Sequence, residues 1–599
     1  MNKAFKSIWS DARQSFVTTS EIQCSHGKRS KTSVSLGVAA VLLAAGGLAS
    51  AAYVETGVLG DKASWETAEY NYNWGLGAMN ASSAYALGFY GQNTTTGVMD
   101  SGAWLGNPDL DSPRITATHV TGVYGSTGNR YPQSIYATIQ KGVTPTAGEG
   151  QPFTEGEEFD VKGDYTLGLN DAHGTQVTGV IGAERNGEYG HGVAFKADVV
   201  VGNTGATDNN NYGPFQDYNY YFKGYKALAD AVNAGNGEYR GGMVNNSYGT
   251  NTKIYSSGGH RLTPDEMSDL LAGNGSYERA AAAYSVTFSG DYSFLGLDDV
   301  PGADQYSANP SAFEWEYMYF KLKYGDKPSF LDGAYDAVKG TNVILSWAAG
   351  NQDRGTPYLK GLYPYFHPEA EKNWLNAVGV MQTRGDNDQY MQATYCKAGL
   401  AKWWSMAGPT AYPGIGTTYV TSQLEDGRVT TTGFNGTSAS DPQISGAFTV
   451  LQSRYPSMTA IQVKDVMYTT ASHIGANGQS FTNWTAAEGT PDVIYGWGMP
   501  DLEKGMYGPG QFLDHFEYRL AEPLDVWSND ITEAGLQQRE KEDKAWMAAT
   551  KNGTDPDAGG EYTLGDDIVV LDGNLDFYDN AVSPEQAKKW RAEYYAARA

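Results

Sequence analysis

Ser438 stands where a hydroxyl could act as a nucleophile. It follows Gly436 and Thr437 and begins a run of small and apolar residues that predicts a buried helix, with Pro442 still in the opening turns. A hydroxyl at that place lies at the positive end of the helix dipole, beside free backbone N–H groups that could meet developing negative charge. A Ser at a helix start is also a common N-cap, so this stretch alone leaves both interpretations open.

Two earlier stretches carry a candidate base and a candidate acid. His173 begins a second apolar helix, and the small Gly174 after it would let the helix pack closely while the ring stays accessible as a general base. Asp100 lies in residues 97–102, an apolar stretch that predicts a short buried strand ending in a turn. A carboxylate at the end of a parallel strand lies where open α/β sheets place their chemistry, although an Asp in a turn and a lone His are usually structural.

Strands and helices alternate around these three residues. Helices are predicted over 65–90, 219–234, 328–339 and 456–471, besides those begun by His173 and Ser438, and strands over 97–102, 197–201, 243–249, 342–347 and 375–381. This alternation predicts an α/β fold with a doubly wound, mostly parallel sheet flanked by helices. Because the carboxyl ends of parallel strands meet at one edge, such a sheet can bring distant residues into one site.

Segments without this alternation set the domain limits. Residues from about 111–165 and from about 250–312 are irregular and rich in Gly, and we interpret them as large loop insertions that rim the site. The alternation ends near the turn Gly508-Pro509-Gly510. We therefore expect a signal peptide over 1–51, one large domain over 52–508 and a charged C-terminal extension of unknown role over 509–599.

The first 51 residues have the composition of a secretory signal. Basic residues precede an apolar run from Val34 to Leu48, and Ala49-Ser50-Ala51 then offers the small residues that signal peptidase requires. The run is short and rich in Gly and Ala, which argues against a membrane-spanning helix. We therefore expect this segment to be removed from an exported protein.

Charge and cysteine content restrict the function classes. The chain of 599 residues carries a net charge of −26. Such an acidic balance argues against nucleic acid and the anionic membrane surface as main partners. Of the two cysteines, Cys24 lies in the signal segment, so Cys396 would be alone in the mature protein and no internal disulfide is expected. We interpret Cys396 as a small buried hydrophobic residue rather than a reactive thiol.

The order Asp100, His173, Ser438 and the residues around each resemble the three signatures of subtilisin-like serine proteases. Those signatures are Val98-Met99-Asp100-Ser101-Gly102, His173-Gly174-Thr175-Gln176-Val177 and Gly436-Thr437-Ser438 with Pro442. Flanking pieces that also resemble the family are Asn107-Pro108-Asp109-Leu110, Gly192-Val193-Ala194 and Ala348-Ala349-Gly350-Asn351. The resemblance covers about residues 70–508 and implies the subtilisin-like fold and a secreted serine endopeptidase.

The resemblance implies a role for each residue of the site. Ser438 would attack a peptide carbonyl, His173 would move the proton, and Asp100 would orient the imidazole. Asn351 and the Ser438 backbone N–H would hold the oxyanion. The implied substrate-binding residues are Ser247, Tyr248 and Gly249, which would pair with an extended substrate backbone, and Ala348, Ala349 and Gly350, which would help to line the primary pocket. Substrates would then be unfolded or loop segments of proteins.

Two points qualify the resemblance. Ala439 and Gln443 replace the Met and His that usually follow the nucleophile, and since neither carries the chemistry we expect tuning rather than loss. No cofactor is required for the chemistry. Relatives often bind a structural Ca²⁺ ion, and Asp109 with the loop 184–190 is the place where one is possible, although loops of this composition are usually only solvated.

The leader from Met1 to Ile22 resembles the extended signal peptides of bacterial autotransporters. This resemblance implies passage across the inner membrane of a Gram-negative bacterium and a secreted or cell-surface location. Autotransporters end in a transmembrane β-barrel of alternating strands, and the sequence up to Ala599 lacks that pattern. An outer-membrane translocation partner is therefore a possible partner, besides the protein or peptide substrates.

Other function classes fit the sequence less well. A surface-binding, adhesin-like protein on a catalytically silent scaffold is supported by the large insertions, but a silent scaffold has no physical need for an intact set of catalytic residues. The helix of a metalloprotease needs a His followed by Glu, and none of the eight His residues is so followed. A cysteine protease would rest on Cys396, which has no His nearby in sequence.

Overall fold

The computed structural model describes most of the chain between Tyr53 and Gly508, together with two N-terminal strands. The insertion 250–312 and the C-terminal extension 509–599 lie outside the described residues. The structure describes residues 5–10, 15–20, 53–126, 128–129, 152–164, 172–187, 190–204, 217–248, 328–351, 356–382, 390–392, 395–410, 419–423, 429–432, 434–475, 478, 480–487 and 489–508.

The chain divides into two compact units, Met1–Thr56 and Gly57–Ala599. In the first unit, strands β1 (Phe5–Ser10) and β2 (Ser15–Ser20) form an antiparallel hairpin. The sequence analysis did not predict strands in this segment. The second strand nevertheless contains aromatic and β-branched residues in succession, which are the types that favour strands.

The helices and strands of the second unit are numbered onwards in chain order. The α-helices are α1 (Ala68–Tyr72), α2 (Trp74–Ala78), α3 (Ala81–Ala86), α4 (His173–Gly182), α5 (Tyr218–Asn236), α6 (Phe330–Val338), α7 (Leu359–Phe366), α8 (Thr437–Arg454), α9 (Ala460–Thr469) and α10 (Leu502–Tyr507). The strands are β3 (Thr95–Asp100), β4 (Ile115–Ala117), β5 (His119–Val123), β6 (Gly128–Asn129), β7 (Pro152–Phe153), β8 (Glu158–Lys162), β9 (Asp198–Asn203), β10 (Gly242–Asn246), β11 (Val343–Ala348), β12 (Trp374–Gln382), β13 (Tyr390–Gln392), β14 (Ser405–Pro409), β15 (Tyr419–Gln423) and β16 (Val429–Thr432). Short 3₁₀ turns cover Lys62–Trp65, Pro368–Asn373 and Gly399–Trp404. Among the described residues, no helix combines the length and the apolarity needed to cross a membrane.

Eight strands form the central sheet. Their order is β13-β12-β11-β10-β3-β9-β4, with β14 also paired to β12. Every pairing is parallel apart from that of β12 with β13. From β3 the chain adds β9 and β4 on one side and β10, β11, β12 and β14 on the other. This order confirms the predicted α/β fold with a doubly wound, mostly parallel sheet.

Helices cover both faces of this sheet. Ser346 of β11 donates a hydrogen bond to Asp441 of α8, whereas the ring of the next residue, Trp347, lies 6.0 Å from that of Tyr225 in α5. Since consecutive side chains of a strand point to opposite faces, α8 and α5 lie on opposite sides of the sheet. The two-sided cover explains why every residue of β3 and of β11 is buried.

Two sequence-based interpretations need correction. The segment 111–165, expected to be an irregular insertion, contributes β4 to the central sheet and pairs β5 with β8 in an antiparallel hairpin. The sequence hides β4 because it has three residues, of which only Ile115 is buried, too few for a readable pattern. Residues 65–90, expected to be one helical stretch, form three short helices, because Asn73 and Asn80 each occupy a helix N-cap position and interrupt the run.

Candidate active site

The end of β3 and the start of α4 bring Asp100 and His173 together. Oδ1 of Asp100 lies 2.9 Å from Nδ1 of His173, and it also accepts the backbone N–H of Ser101 at 2.8 Å. The Asp100 side chain is completely buried, whereas 15% of the His173 side chain is exposed. A buried carboxylate on Nδ1 fixes the imidazole tautomer and leaves Nε2 as the nitrogen able to accept a proton.

Gly174 makes this contact sterically possible. A Cβ atom at that position would lie 2.1 Å from the carbonyl oxygen of Gly102, so any other residue would force α4 away from the end of β3. The backbone N–H of Gly174 donates to Oγ of Ser101 at 3.0 Å, which holds the first turn of α4 against the turn after β3. The small residue after His173 thus serves the close packing expected from the sequence.

Ser438 is the second residue of α8, at the buried start of that helix. Gly436 precedes the helix with φ of +83°, a conformation that L-residues rarely adopt. The hydroxyl of Ser438 donates to the carbonyl oxygen of Ser247 at 2.6 Å, so the end of β10 holds the hydroxyl in place. A hydroxyl has one proton, and it must turn away from Ser247 to pass that proton to His173.

Asn351 is oriented by the residue before the nucleophile. Its Oδ1 accepts the backbone N–H of Thr437 at 2.8 Å and the hydroxyl of Thr437 at 2.9 Å. The same hydroxyl accepts the backbone N–H of Gly350 at 3.1 Å, which fixes it between the two residues. These two hydrogen bonds to its oxygen fix the Asn351 amide against Thr437, the residue before Ser438.

The residues predicted to bind substrate follow two neighbouring parallel strands. Asn246, the last residue of β10, is opposite Trp347 of β11, so Ser247 and Ala348 lie side by side where these strands end. The Tyr248 side chain is buried, and its hydroxyl contacts that of Tyr225 at 2.6 Å, which leaves only the Tyr248 backbone for a substrate.

Backbone groups in the turn after β11 form hydrogen bonds within the protein. The backbone N–H of Ala349 donates to Ala377, and its carbonyl accepts from Tyr358. The carbonyl of Gly350 accepts from Cys396, which is buried and not part of a disulfide. This turn can therefore line a pocket but cannot pair with a substrate strand through these groups. Gly249 lies outside the described residues.

The two departures from the family pattern lie in the buried first turns of α8. Ala439 is buried in the apolar cluster that contains Val177 and Phe434. Nε2 of Gln443 donates to Oδ1 of Asn73 at 2.9 Å, so this side chain links α8 to the N-cap of α2. Neither side chain has a hydrogen bond to the predicted catalytic residues within the described part of the chain.

Asp441 is a residue of this region that the sequence analysis did not single out. It is fully buried, three positions after Ser438, and accepts hydrogen bonds from Ser346, Asn246 and Ser247. Burial raises the pKa of its carboxyl to about 7, although these three donors oppose the rise and the charge of Asp100 adds to it. The available signal was a carboxylate within a buried helix, since Asp is almost never fully buried without partners.

At the predicted calcium position, the described carboxylates accept hydrogen bonds from the loop. Both carboxylate oxygens of Glu69 accept backbone N–H groups of the loop, at 2.9 Å from Asn186 and 3.1 Å from Gly187. Oδ1 of Asp109 accepts from the side chain of Asn186 at 3.1 Å. Across the described residues, no three or more His, Cys, Asp or Glu side chains are grouped to hold a metal ion.

Comparison with protein families identifies the chain. The model of the subtilase family matches residues 91–498. The chain belongs to the subtilase family. The model of the extended signal peptide of the Type V secretion system matches residues 1–50. Both matches confirm the resemblances inferred from the three motifs and from the leader.

Individual relatives cover different parts of this subtilase. Serotype-specific antigen 1 of Mannheimia haemolytica is 32% identical over 195 residues, 32% of this chain and 19% of that protein. An extracellular serine protease of Serratia marcescens is 24% identical over 488 residues, 77% of this chain and 36% of that protein. The Neisserial autotransporter lipoprotein NalP of Neisseria meningitidis is 22% identical over 451 residues, 72% of this chain and 34% of that protein. The chain thus spans from about a fifth to just over a third of the length of these relatives.

A comparison with solved structures finds matches of low sequence identity to this chain. Fervidolysin from Fervidobacterium pennivorans, a keratinolytic enzyme related to subtilisin, aligns with a TM-score of 0.37 and 16% identity. The alignment covers 74% of this chain and 48% of fervidolysin.

Proposed function

We propose that this subtilase is a secreted serine endopeptidase that hydrolyses peptide bonds of protein substrates through an acyl-enzyme intermediate. The observation that carries the proposal is the 2.9 Å contact between Asp100 Oδ1 and His173 Nδ1, together with the 5.2 Å between the ring of His173 and that of Phe434, four residues before Ser438. Carboxylate, imidazole and hydroxyl in this arrangement are the groups that nucleophilic acyl transfer requires.

In the acylation step, Oγ of Ser438 attacks the carbonyl carbon of the scissile peptide bond. His173 takes the hydroxyl proton on Nε2, and Asp100 stabilises the imidazolium that forms. The carbon–nitrogen bond then breaks, and the imidazolium gives its proton to the leaving amine. The acyl group remains on Ser438 as an ester.

In the deacylation step, His173 takes a proton from water, and the resulting hydroxide attacks the ester carbonyl. The ester bond breaks, Ser438 regains its proton from the imidazolium, and the carboxylic acid product leaves. In both steps, negative charge develops on the carbonyl oxygen, and the Asn351 amide nitrogen and the Ser438 backbone N–H would stabilise it. The hydrogen bonds from Thr437 to Asn351 support this role, because they preset the direction of the amide nitrogen.

Substrates would bind as extended segments. Ser247 follows β10, at the edge of the sheet nearest Ser438, and with Tyr248 and Gly249 it would offer backbone groups to a substrate strand. Ala348, Ala349 and Gly350 would contribute the wall of the primary pocket, since the hydrogen bonds of Ala349 and Gly350 within the protein hold that turn in place. A segment able to enter must be unfolded or in a mobile loop of its own protein.

The chemistry would need no cofactor, because acid–base and nucleophilic groups all come from the chain. No step of the reaction depends on the structural calcium ion that the family resemblance implies near Asp109. For export, the leader over residues 1–50 supports passage across the inner membrane of a Gram-negative cell and a secreted or surface location, with an outer-membrane translocation partner. Fractionation of cells that express the whole chain would test this location.

The chemistry is tested by labelling with a fluorophosphonate, which reacts with activated serine hydroxyls. The protein would be expressed from Ala52, and wild type would be compared with Ser438→Ala and His173→Ala. Ser453→Ala is the matched control, because this Ser lies in the last turn of the same helix and donates to Val450. We expect labelling of wild type and the control and no labelling of the other two variants. Wild type and the control should also cleave a denatured protein, and the Ser438→Ala variant should not.

Absence of labelling in a folded wild-type protein would overturn the proposal. The adhesin-like alternative would then be favoured, and binding to host or bacterial surfaces would be the next measurement. Labelling that persists in Ser438→Ala would also overturn it, because another side chain would then be the nucleophile.

A further inference from the structure

The carboxylate of Asp441 connects the nucleophile helix to two strands of the sheet. Its Oδ2 accepts the backbone N–H of Asn246 at 3.3 Å and lies 3.5 Å from the hydroxyl of Ser247. Its Oδ1 accepts the hydroxyl of Ser346 from β11. The carbonyl of the same Ser247 accepts the hydroxyl of Ser438 at 2.6 Å. Asp441 therefore acts on the nucleophile through Ser247 and does not touch the reacting atoms.

We propose that Asp441 is a positioning residue for the reaction: its carboxylate fastens the end of β10 to α8 and so sets the carbonyl that holds the Ser438 hydroxyl. This inference rests on the function proposed above. It also concerns substrate binding, because Ser247 belongs to the segment expected to pair with the substrate backbone.

The arrangement fits the ionised form of Asp441. Its three partners are donors, and so is the Asn245 amide nitrogen once that amide is turned to face Oδ2 at 3.2 Å; the backbone N–H of Asn246 cannot reverse its role. A proton on Oδ2 would therefore oppose the backbone N–H of Asn246, and a proton on Oδ1 would make the Ser346 hydroxyl the acceptor and oblige it to turn its own proton elsewhere. Protonation must therefore rearrange the hydrogen bonds that join α8 to one of the two strands.

The groups packed around Asp441 set the pH at which its carboxyl gains or loses a proton. Burial is the largest cause that raises its pKa, to about 7, and the charge of Asp100 on β3 adds to it. Tyr225 on α5 is the other titratable group that interacts with it, and burial keeps that phenol neutral by raising its pKa well above 10. Two carboxylates thus lie near the site, one in contact with His173 and one behind Ser247.

The pH dependence of kcat/KM for a peptide substrate tests the proposal. In wild type, activity requires loss of a proton from His173 and another from Asp441, so log kcat/KM should rise with a limiting slope of about 2 below neutral pH. In Asp441→Asn only one proton must leave, and the slope should fall to about 1. The amide cannot accept from every donor in any orientation, so kcat/KM at pH 8 should fall by about 10- to 100-fold.

Two further variants separate positioning from a general effect on the fold. Ser346→Ala removes a donor that lowers the pKa of Asp441, so the acid limb should move to higher pH with its slope kept. Asp492→Asn is the matched control, because Asp492 is also buried and accepts backbone N–H groups, from Thr485, Ala486 and Ile494, away from the site. It should lower the melting temperature and leave the slope at about 2.

The pH dependence of thermal stability reports the protonation of Asp441 without an activity assay. The pKa of this carboxyl is higher in the folded protein than its usual value of 3.8, so the folded state binds the proton more tightly. Its contribution to stability is therefore complete below about pH 4 and is lost as pH rises through about 7. The melting temperature of wild type minus that of Asp441→Asn should decrease over this range.

The outcomes are distinct. An active Asp441→Asn enzyme with an unchanged slope and unchanged kcat/KM would overturn the inference while the proposed function stands. An Asp441→Asn protein that does not fold leaves the decision to Ser346→Ala, and an unmoved acid limb in that variant would overturn the inference. A wild type that is folded, inactive and unlabelled would overturn the proposed function instead.

Discussion

Buried ionisable groups occur at the candidate active site and also in the layer of α1 to α3, with different kinds of partner. At the site, each carboxylate accepts one backbone N–H and has side-chain partners as well: Asp100 contacts the imidazole of His173, and Asp441 contacts hydroxyls beside the nucleophile. In the helical layer, Glu69 accepts two backbone N–H groups, and His191, which packs against Tyr70 and Tyr85 of that layer, donates through Nδ1 to the carbonyl of the next residue. Backbone partners keep one protonation state and one geometry, whereas side-chain partners can turn or titrate. The comparison teaches that burial alone does not mark a functional group; the partner does.

The largest expected effect comes from Asp100→Asn. The amide would present the wrong hydrogen-bonding pattern to Nδ1 of His173, so the imidazole would lose its tautomer and its support as a cation. We expect kcat to fall by about 10⁴-fold with little change in KM, measured on a peptide substrate. Glu69→Gln, which alters a buried carboxyl in the helical layer, should leave kcat unchanged. Equal losses in both variants would contradict the distinction between the two regions.

A smaller loss is expected from Asn351→Ala. The variant removes the amide that Thr437 orients but leaves the contact between Asp100 and His173 intact. We expect kcat to fall by about 10²–10³-fold, the range typical for loss of one oxyanion donor, with KM within about threefold of wild type. An equal fall in fluorophosphonate labelling would be expected, because the phosphonyl oxygen would use the same donor. Unchanged kcat would show that Asn351 does not serve the reaction.

His191→Phe should change stability and its pH dependence without changing catalysis. The ring of His191 is packed among those of Tyr70, Tyr85 and Phe195, at 4.9–6.2 Å between centroids. Burial lowers the pKa of His191 to about 3, and the charge of Arg185 adds to the effect. An unfolded His takes up a proton near pH 6.5, so the stability from a neutral His191 is present above that pH and is lost as pH falls toward 3. At pH 5 the loss is about 2 kcal/mol.

Urea unfolding of wild type and His191→Phe at pH 7 and pH 5 measures this loss. The free energy of unfolding of wild type should fall relative to the variant by about 2 kcal/mol between the two pH values. The sign is opposite to that of Asp441, whose contribution is lost as pH rises. A difference that stays constant with pH would mean that His191 is not held neutral in the folded protein.

Much of the fold was readable from the sequence, for a physical reason. Strands such as β11 and β12 are buried on both faces and therefore appear in the sequence as apolar runs. The helices α5 and α6, which precede β10 and β11 in the chain, begin and end within two residues of their predicted bounds. Strands with little apolar content were not found. β14 contains Gly408 and ends at Pro409, residues that weigh against a strand, and it is held by its parallel pairing with β12.

The site was predictable where chemistry demands particular residue types, and not where it depends on three-dimensional neighbours. Asp100, His173 and Ser438 could be singled out because each combines a reactive side chain with a strand or helix end. The support given by Thr437 to Asn351, and by Asp441 to Ser247, joins segments separated by 86 and 194 positions. No local pattern in a single sequence encodes such pairs, and only the register of β10 and β11 beneath α8 brings them together.

The smallest effect on stability is expected from removal of divalent cations. This experiment tests whether the helical layer is stable without a bound metal ion. Glu69 and Asp109 already accept protein N–H donors from Asn186 and Gly187, so a calcium ion at the loop 184–190 would have to displace bonds of similar worth. Incubation with EDTA should therefore change the melting temperature by less than about 2 °C, the shift that corresponds to roughly 1 kcal/mol or less in a protein of this size. A fall of more than about 5 °C that calcium reverses and magnesium does not would contradict this expectation. Asp109→Asn would then locate the ion: loss of the calcium effect in that variant would place it at this loop, and a retained effect would place it elsewhere in the chain.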